Sequence, residues 1–446
     1  MRNLSILLLR VCLVLGLPMA THCALASKVT IVQQDNKATL QVNEVPFFVK
    51  GAGMGYTNEA GIRKLASAGD NAFRTWDTAA LDTQLAAAHK YGLMVLVGLD
   101  IGKELQGFDY RDAAAVSEQQ QRILSIVREY QGHSNILGWI LGNELNLMVN
   151  QQGQVVPADP LVYKVIGELA KEIRRLDHDH PLTMAFAFTS TLKQDIGFAL
   201  EAIPDLDFIS LQAYGALPVL PQTFTALKPG IPFMITEYGP MGHWEMPATR
   251  WGREIEEPSG RKAKGMRGRM NGSVINDPTA QLLGSFAFLW GQKQERTPTW
   301  YGLFLASGEK TASVDELTQI WTGKWPANRA PAAWSITLQE RSADQSVTVD
   351  TGDHVKAFAI IEDPEGDNLA VRWELLEEVV KRSHGGHFER APKQVDIAGG
   401  TSTVIGNEYS LAFNAPSLPG QYRLFIYATD AHGGAATANI PFLVVE

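Results

Sequence analysis

Cysteine is nearly absent. Cys12 and Cys23 are its only occurrences in 446 residues. Nothing beyond residue 23 can form a disulfide, act as a thiol nucleophile or hold a metal through thiolate. Long apolar runs are just as restricted. "MRNLSILLLRVCLVLGLPMA" has a basic start and a long apolar stretch, and no later run is long enough to span a bilayer. It leads to Ala24-Leu25-Ala26 before Ser27, a small-x-small pattern that reads as a secretory leader over residues 1–26. Arg10 interrupts the apolar run and argues against a retained anchor. His22 is a poor residue to precede a lipidated Cys23. The expectation is a periplasmic or extracellular protein, with no integral membrane segment after cleavage.

Positive charge is scarce as well. Loss of Arg2 and Arg10 takes the formal net charge from −9 to −11, which disfavours nucleic acid as a partner. There is no glycine-rich phosphate loop after the first strand, no solenoid-type repeat and no low-complexity tract. The close histidine pairs, His178 with His180 and His384 with His387, have no evident third ligand. Neither a metal nor a cofactor is expected at the site.

What is present is an alternation of apolar runs with helix-like segments. Eight strands are expected: Phe47–Lys50, Ala72–Thr75, Met94–Leu99, Ile136–Leu141, Leu182–Phe186, Phe208–Gln212, Phe233–Thr236 and Ser285–Leu289. Each is apolar on both faces, as a parallel strand buried in a barrel must be. Between them "NEAGIRKLASAG", "LDTQLAAAHKYG", "VSEQQQRILSIVREYQG", "DPLVYKVIGELAKEIRRLD", "PTAQLLG" and "SVDELTQIWTG" read as helical. Eight such units predict an α/β fold, a (β/α)8 TIM barrel, with an open doubly wound sheet as runner-up. A hairpin-like lead with a turn at Asp35-Asn36 precedes it. It is expected to close the barrel's floor or side.

After "WPANRAPAAW" helical periodicity stops and strands alternate like those of an immunoglobulin-like β-sandwich. The expected division is a barrel over residues 27–327 and a sandwich over 328–446. A chain ending near Ala327 is therefore expected to keep the barrel's activity.

In such barrels the chemistry sits at the C-terminal strand ends. The tips carry Arg74, Trp76 and Asp77; Asp100; Asn143 and Glu144; Gln212 and Tyr214; Glu237 and Tyr238; and Trp290, Gln292 and Glu295. Two carboxyl groups, a guanidinium, an amide and aromatic rings on one mouth suit glycoside chemistry. One carboxylic acid protonates the leaving oxygen and the other attacks the anomeric carbon, while rings stack on sugar faces.

The paired "GNE" and "TEYG" motifs resemble those of the large clan A of retaining glycoside hydrolases. "LQVNEVPFFVKGAGM" and "FRTW" resemble the family 2 barrel. A fainter similarity is to the family 72 β-glucanosyltransferases. The resemblance covers about residues 38–325, but no family 2 jelly-roll domain precedes the barrel. By position it implies Glu144 as acid/base and Glu237 as nucleophile. Asn143 matches the residue that bonds the sugar 2-hydroxyl. Arg74 and Tyr214 match groups that hold the nucleophile ionised and oriented, and Trp290 matches the platform under the reacting sugar. Trp76 and Tyr238 join them as candidate substrate contacts. The activity implied is hydrolysis of a β-glucan or related polysaccharide, or transglycosylation through the same intermediate. The rival class is a carbohydrate-binding protein on a retired barrel, and the presence of both glutamates argues against it.

Two further segments stand out. The insertion after the seventh strand holds seven basic and three acidic residues between Arg250 and Arg269. It reads as a solvated helix face in preference to a site for an anionic polysaccharide. "EDPEGDNL", residues 362–369, resembles the turns of calcium-linked, cadherin-like sandwiches. A plain acidic turn is the reading preferred over calcium at Asp363, Glu365 and Asp367.

Overall fold

The computed structural model describes residues 26–446, except 57, 384, 385 and 387. Residues 1–25 of the leader and the His384–His387 pair thus lie outside the described residues. The chain forms a closed parallel barrel with antiparallel sheets attached. Its strands are β1 (Val49–Met54), β2 (Ala72–Arg74), β3 (Met94–Leu99), β4 (Ile136–Asn143), β5 (Leu182–Ala187), β6 (Phe208–Gln212), β7 (Phe233–Tyr238) and β8 (Leu282–Trp290). The wrapping helices are α1 (Glu59–Ser67), α2 (Leu81–Tyr91), α3 (Ala113–Tyr130), α4 (Pro160–Leu176), α5 (Leu192–Ala202), α6 (Leu220–Leu227), α7 (Ser259–Met270) and α8 (Ala312–Thr322).

β1 runs later than its apolar residues predict. Its core is Gly51-Ala52-Gly53, small because the barrel is crowded there: a Cβ at Gly51 would lie 2.3 Å from the Phe286 ring. Helices α5, α6 and α7 carry weak patterns. α7, "SGRKAKGMRGRM", is polar in composition yet buries Ala263, Met266 and Met270 at helical spacing. "PTAQLLG" is not a helix, because Leu282–Gly284 already belong to β8.

The lead is a hairpin, Val29–Gln34 with Lys37–Val42. Asp35 (φ 50°) and Asn36 (φ 62°) supply the left-handed turn that such a loop needs. Val29, Ala38 and Leu40 pack with Val49, Ala72, Leu96 and Phe208, so the lead plugs the floor. Just before it, Ser27 Oγ lies 3.0 Å from His180 Nε2, and His180 Nδ1 lies 2.8 Å from Asp177 Oδ2. Asp177 Oδ2 also accepts the Trp139 indole N–H at 2.8 Å. The arrangement mimics a serine-hydrolase triad, but all four residues are buried; it fastens the chain to the floor.

The C-terminal region is two sheets face to face. One contains Ala332–Leu338, His354–Glu362, Glu408–Asn414 and Thr401–Ile405. The other is built on Gly434–Val445, Gly420–Thr429 and Ala370–Glu377. The second sheet also takes Lys310–Thr311 from ahead of α8, so the two regions interlock before residue 328. The insertion after β7 works at this junction. Glu256, 3% exposed, receives Lys262 and Thr299 from the barrel side and Asn439 Nδ2 (2.6 Å) from the sandwich. Burial opposes its charge, but Lys262 and the hydroxyl donors outweigh that and hold its carboxyl below the ordinary range. Arg253 reaches the Val379 carbonyl at 2.9 Å, and Arg267 pairs with Glu316 of α8. Several of the basic side chains are therefore structural partners, which corrects the expectation of a solvated helix face.

Candidate active site

The strand tips converge on a cavity of about 890 Å³ at the barrel mouth, within the usual range for a small-molecule site. Glu237 is 5% exposed at the tip of β7. Its Oε1 accepts from Trp76 Nε1 at 2.8 Å, Gln212 Nε2 at 2.9 Å and Arg74 Nη1 at 3.2 Å. Its Oε2 accepts from the Tyr214 hydroxyl at 2.9 Å. A carboxylate is an acceptor-only group, and donors from β2, β6 and the loops after them fix this one in place. A register shift between β6 and β7 sets Gln212 opposite Glu237; such irregularities re-aim side chains at barrel rims.

Arg74 is fully buried, which lowers its pKa from the ordinary value, while Glu237 and then Glu144 support its charge. Its Nη2 donates to Asn143 Oδ1 at 2.9 Å, and Gln212 Nε2 reaches the same oxygen at 2.6 Å. With Oδ1 taken by two donors, Asn143 has its Nδ2 hydrogens left to offer to the cavity it lines. Burial first, and Glu237 second, push the Tyr214 hydroxyl far above its ordinary value, so it acts as a hydrogen-bond donor.

Glu144 follows Asn143 and opens into the cavity. Gly142 (φ 79°) and Glu144 (φ 53°) both adopt left-handed backbone, rare for a glutamate and costly by about 1–3 kcal/mol. The Glu144 N–H bonds to the Ala185 carbonyl at 2.8 Å, which anchors the turn to β5. Burial, then the neighbouring Glu237, raise its pKa to about 7, against the opposing pull of Lys103 and Arg74. The mouth therefore holds one carboxyl group fully served by donors and a second that keeps its proton toward neutrality.

Two expected site residues lie elsewhere. Tyr238 follows Glu237 on β7, and adjacent strand residues face opposite sides. Its ring is fully buried in the layer between strands and helices, so it does not meet the cavity. Trp290 is also fully buried. Its indole donates to the Gly61 carbonyl at 3.2 Å, and its ring packs on Phe304 and Trp321. It belongs to the core around α1 and α8, not to a sugar platform. β8 reaches Trp290 itself, and Phe288, two residues earlier, lines the cavity. Other lining groups that strand-tip reading passed over are Tyr301, Lys103, Lys293 and Trp244. Trp244 is 62% exposed and packs edge-on against Tyr214 at the rim. The sandwich reaches the wall as well, through Gly386.

No protein-family model matches this chain, and no curated protein matches it. Solved structures do. A Bacteroides uniformis β-glucuronidase is similar over 94% of this chain and 48% of its own, with 14% identity and a TM-score of 0.51. A B. uniformis β-glucuronidase 2 covalently bound to cyclophellitol-6-carboxylate aziridine gives the same figures. A Ruminococcus gnavus β-glucuronidase covers 66% of this chain at 17% identity, with a TM-score of 0.49. The chain spans about half the length of these structures. At such identities the likeness is one of fold: the (β/α)8 barrel on which these glycoside hydrolases are built.

Proposed function

We propose that the protein is an exported retaining β-glycosidase acting on a β-glucan or related polysaccharide, and that it belongs to clan A. The observation that carries this reading is the unequal pair at the mouth. Glu237 is held by Arg74, Trp76, Gln212 and Tyr214, while Glu144 is raised to about 7. A carboxyl group held by four donors beside a second one that keeps its proton toward neutrality is what double displacement requires.

In this mechanism Glu144 gives its proton to the glycosidic oxygen as the bond to the anomeric carbon breaks. A Glu237 oxygen forms the new bond to that carbon. Glu144, now a carboxylate, takes a proton from water or from a sugar hydroxyl, which displaces Glu237 and regenerates both groups. Asn143 offers its amide hydrogens to the 2-hydroxyl. Phe288, Tyr301 and Trp244 supply ring surface for sugar faces. A structural neighbour held as a covalent adduct with a cyclophellitol aziridine supports a covalent intermediate on this fold. The leader supports export, with Ser27 as the mature N-terminus.

The test is turnover of β-linked glucans, mannans and galactans by the purified protein, with products sized by mass and anomers followed by NMR. Retained configuration is expected, and inversion would overturn the assignment. Glu144→Ala should regain turnover with azide on substrates bearing good leaving groups, because the acid is then dispensable. N-terminal sequencing of envelope or secreted protein should start at Ser27; a start at Met1 would refute export by cleavage.

A further inference from the structure

At one end of the sandwich lie three aspartates that the proposed chemistry does not use. Asp363 and Asp367 sit in the turn between strands His354–Glu362 and Ala370–Glu377, and Asp430 follows strand Gly420–Thr429. One carboxylate oxygen of each lies within 4.8 Å of the others. Two basic side chains of the adjoining segments have carboxylate partners outside the cluster. Arg329 pairs with Glu365 at 2.9 Å, and Lys310 pairs with Asp315. His432 Nε2 stands 3.8 Å from Asp367.

An independent observation comes from atoms without partners. Asp430 is more than nine-tenths buried (9% exposed), and its Oδ2 is out of contact with solvent and has no hydrogen-bond donor. Asp363 Oδ2 and Asn328 Oδ1 are also inaccessible and unpartnered. The second oxygen of each aspartate is satisfied. Asp430 Oδ1 accepts the His432 and Gly434 N–H groups at 2.7 and 2.8 Å, and Asp363 Oδ1 accepts those of Glu365 and Asp367 at 3.0 and 2.9 Å. Asn328 Nδ2 donates to Asp367 Oδ2 at 2.7 Å, so the amide whose Oδ1 has no partner is itself bonded to a member of the cluster. Unsatisfied buried oxygens are destabilising, and neighbouring carboxylates repel one another besides. A bound cation removes both penalties.

We propose that Asp363, Asp367 and Asp430, with Asn328 Oδ1, form a binding site for a divalent cation of calcium size. The donors are all oxygen and mostly anionic, which selects a hard cation. Three carboxylates and an amide drawn from separate segments suit the pliable, high-coordination shell of calcium. Magnesium prefers a compact octahedron with several retained waters. The site is not the contiguous acidic turn: Glu365 turns to Arg329, and Asp430 enters from 63 positions beyond Asp367. Asn328 lies on the connection from α8 into the sandwich, so the ion ties that connection to two sandwich loops.

The experiment is calcium titration of the chelator-stripped full chain by calorimetry, with thermal unfolding alongside. One saturable site is expected, with Kd within about 10⁻⁶–10⁻³ M, together with a higher Tm in calcium. Magnesium should bind about tenfold more weakly or worse. Asp430→Asn and Asp363→Asn should each weaken calcium binding about tenfold or more, while Glu365→Gln stays within about twofold. Asp363→Asn, at the less buried position, decides the matter if Asp430→Asn does not fold. No saturable heat up to about 10 mM calcium, unchanged binding in Asp363→Asn, or equal affinity for magnesium would overturn the proposal.

Discussion

The two ends of the barrel each hold a buried carboxylate that accepts an indole N–H. At the floor it is Asp177, 3% exposed, bonded to Trp139 at 2.8 Å and to His180. At the mouth it is Glu237, 5% exposed, bonded to Trp76 at 2.8 Å and to Arg74. Burial and hydrogen-bond inventory do not tell them apart. What differs is what stands opposite. Asp177 meets His180, whose far ring nitrogen meets Ser27 under the plug of the lead, so its partners are supplied by the chain. Glu237 faces a cavity of about 890 Å³ shared with a second carboxyl group, and beside it Asn143 has Nδ2 hydrogens to offer. Reaction is a property of the space a carboxylate faces as much as of its supports.

The largest expected contrast is between the two carboxylates themselves. Glu237→Ala should lower kcat by about 10⁴-fold or more, because no other group can attack. A mechanism-based fluorosugar should label the peptide containing "ITEYG"; label on another peptide would move the nucleophile. Asp177→Asn should lower stability by about 1–3 kcal/mol and leave kcat of the folded protein within about twofold. A large kinetic defect there would erase the distinction between the ends.

A smaller effect separates two residues of the mouth region. Asn143→Ala should reduce kcat/KM by about 10²-fold, or about 3 kcal/mol of transition-state binding. Trp290→Phe should cost about 1–3 kcal/mol of folding free energy, with kcat/KM within about twofold. Denaturant titration and steady-state kinetics on the same preparations check both.

The smallest effect is electrostatic. Glu144 must be protonated to act as acid, so kcat/KM should fall as pH rises through about 7. Stability follows the same sign. The pKa is raised in the folded state, so the contribution is full below its ordinary value near 4.5 and is lost as pH rises through about 7. Glu144→Gln should therefore stabilise the protein at pH 8 relative to wild type by about 1–3 kcal/mol and change little at pH 4. Equal effects at both pH values would refute the raised pKa.

The barrel was legible because its strands are apolar on both faces; β3 has the bounds its sequence predicts. Glutamate at the tips of β4 and β7 was legible for the same reason, since apolar strands seldom end on carboxylates. Side-chain direction was harder to read. Tyr238 is next to Glu237 in the chain but faces the helices, and Trp290 is two residues past the cavity-facing Phe288. The first misreading comes from naming a strand's tip without fixing its alternation; the second lies where the register of β8 against β1 shifts between Ala287 and Trp290, so alternation alone does not place it. α7 was hidden by eight arginines, lysines and glycines more than by any lack of apolar spacing. The cation cluster joins segments that only the folded sandwich brings together, so no local motif contains it.

The junction at Glu256 bears on how such a protein can be recombined. The sandwich supplies Asn439 to a buried carboxylate of the barrel region, takes Lys310–Thr311 as an edge strand, and lends Gly386 to the cavity wall. Cutting the chain near Ala327 would leave the Lys262–Glu256 pair partly unwrapped and remove Gly386 from the cavity wall. The two regions are therefore not interchangeable cassettes. A graft of this barrel onto another accessory domain would have to carry the insertion after β7 and a matching surface with it, and in a lineage that exchanges domains they should be inherited together.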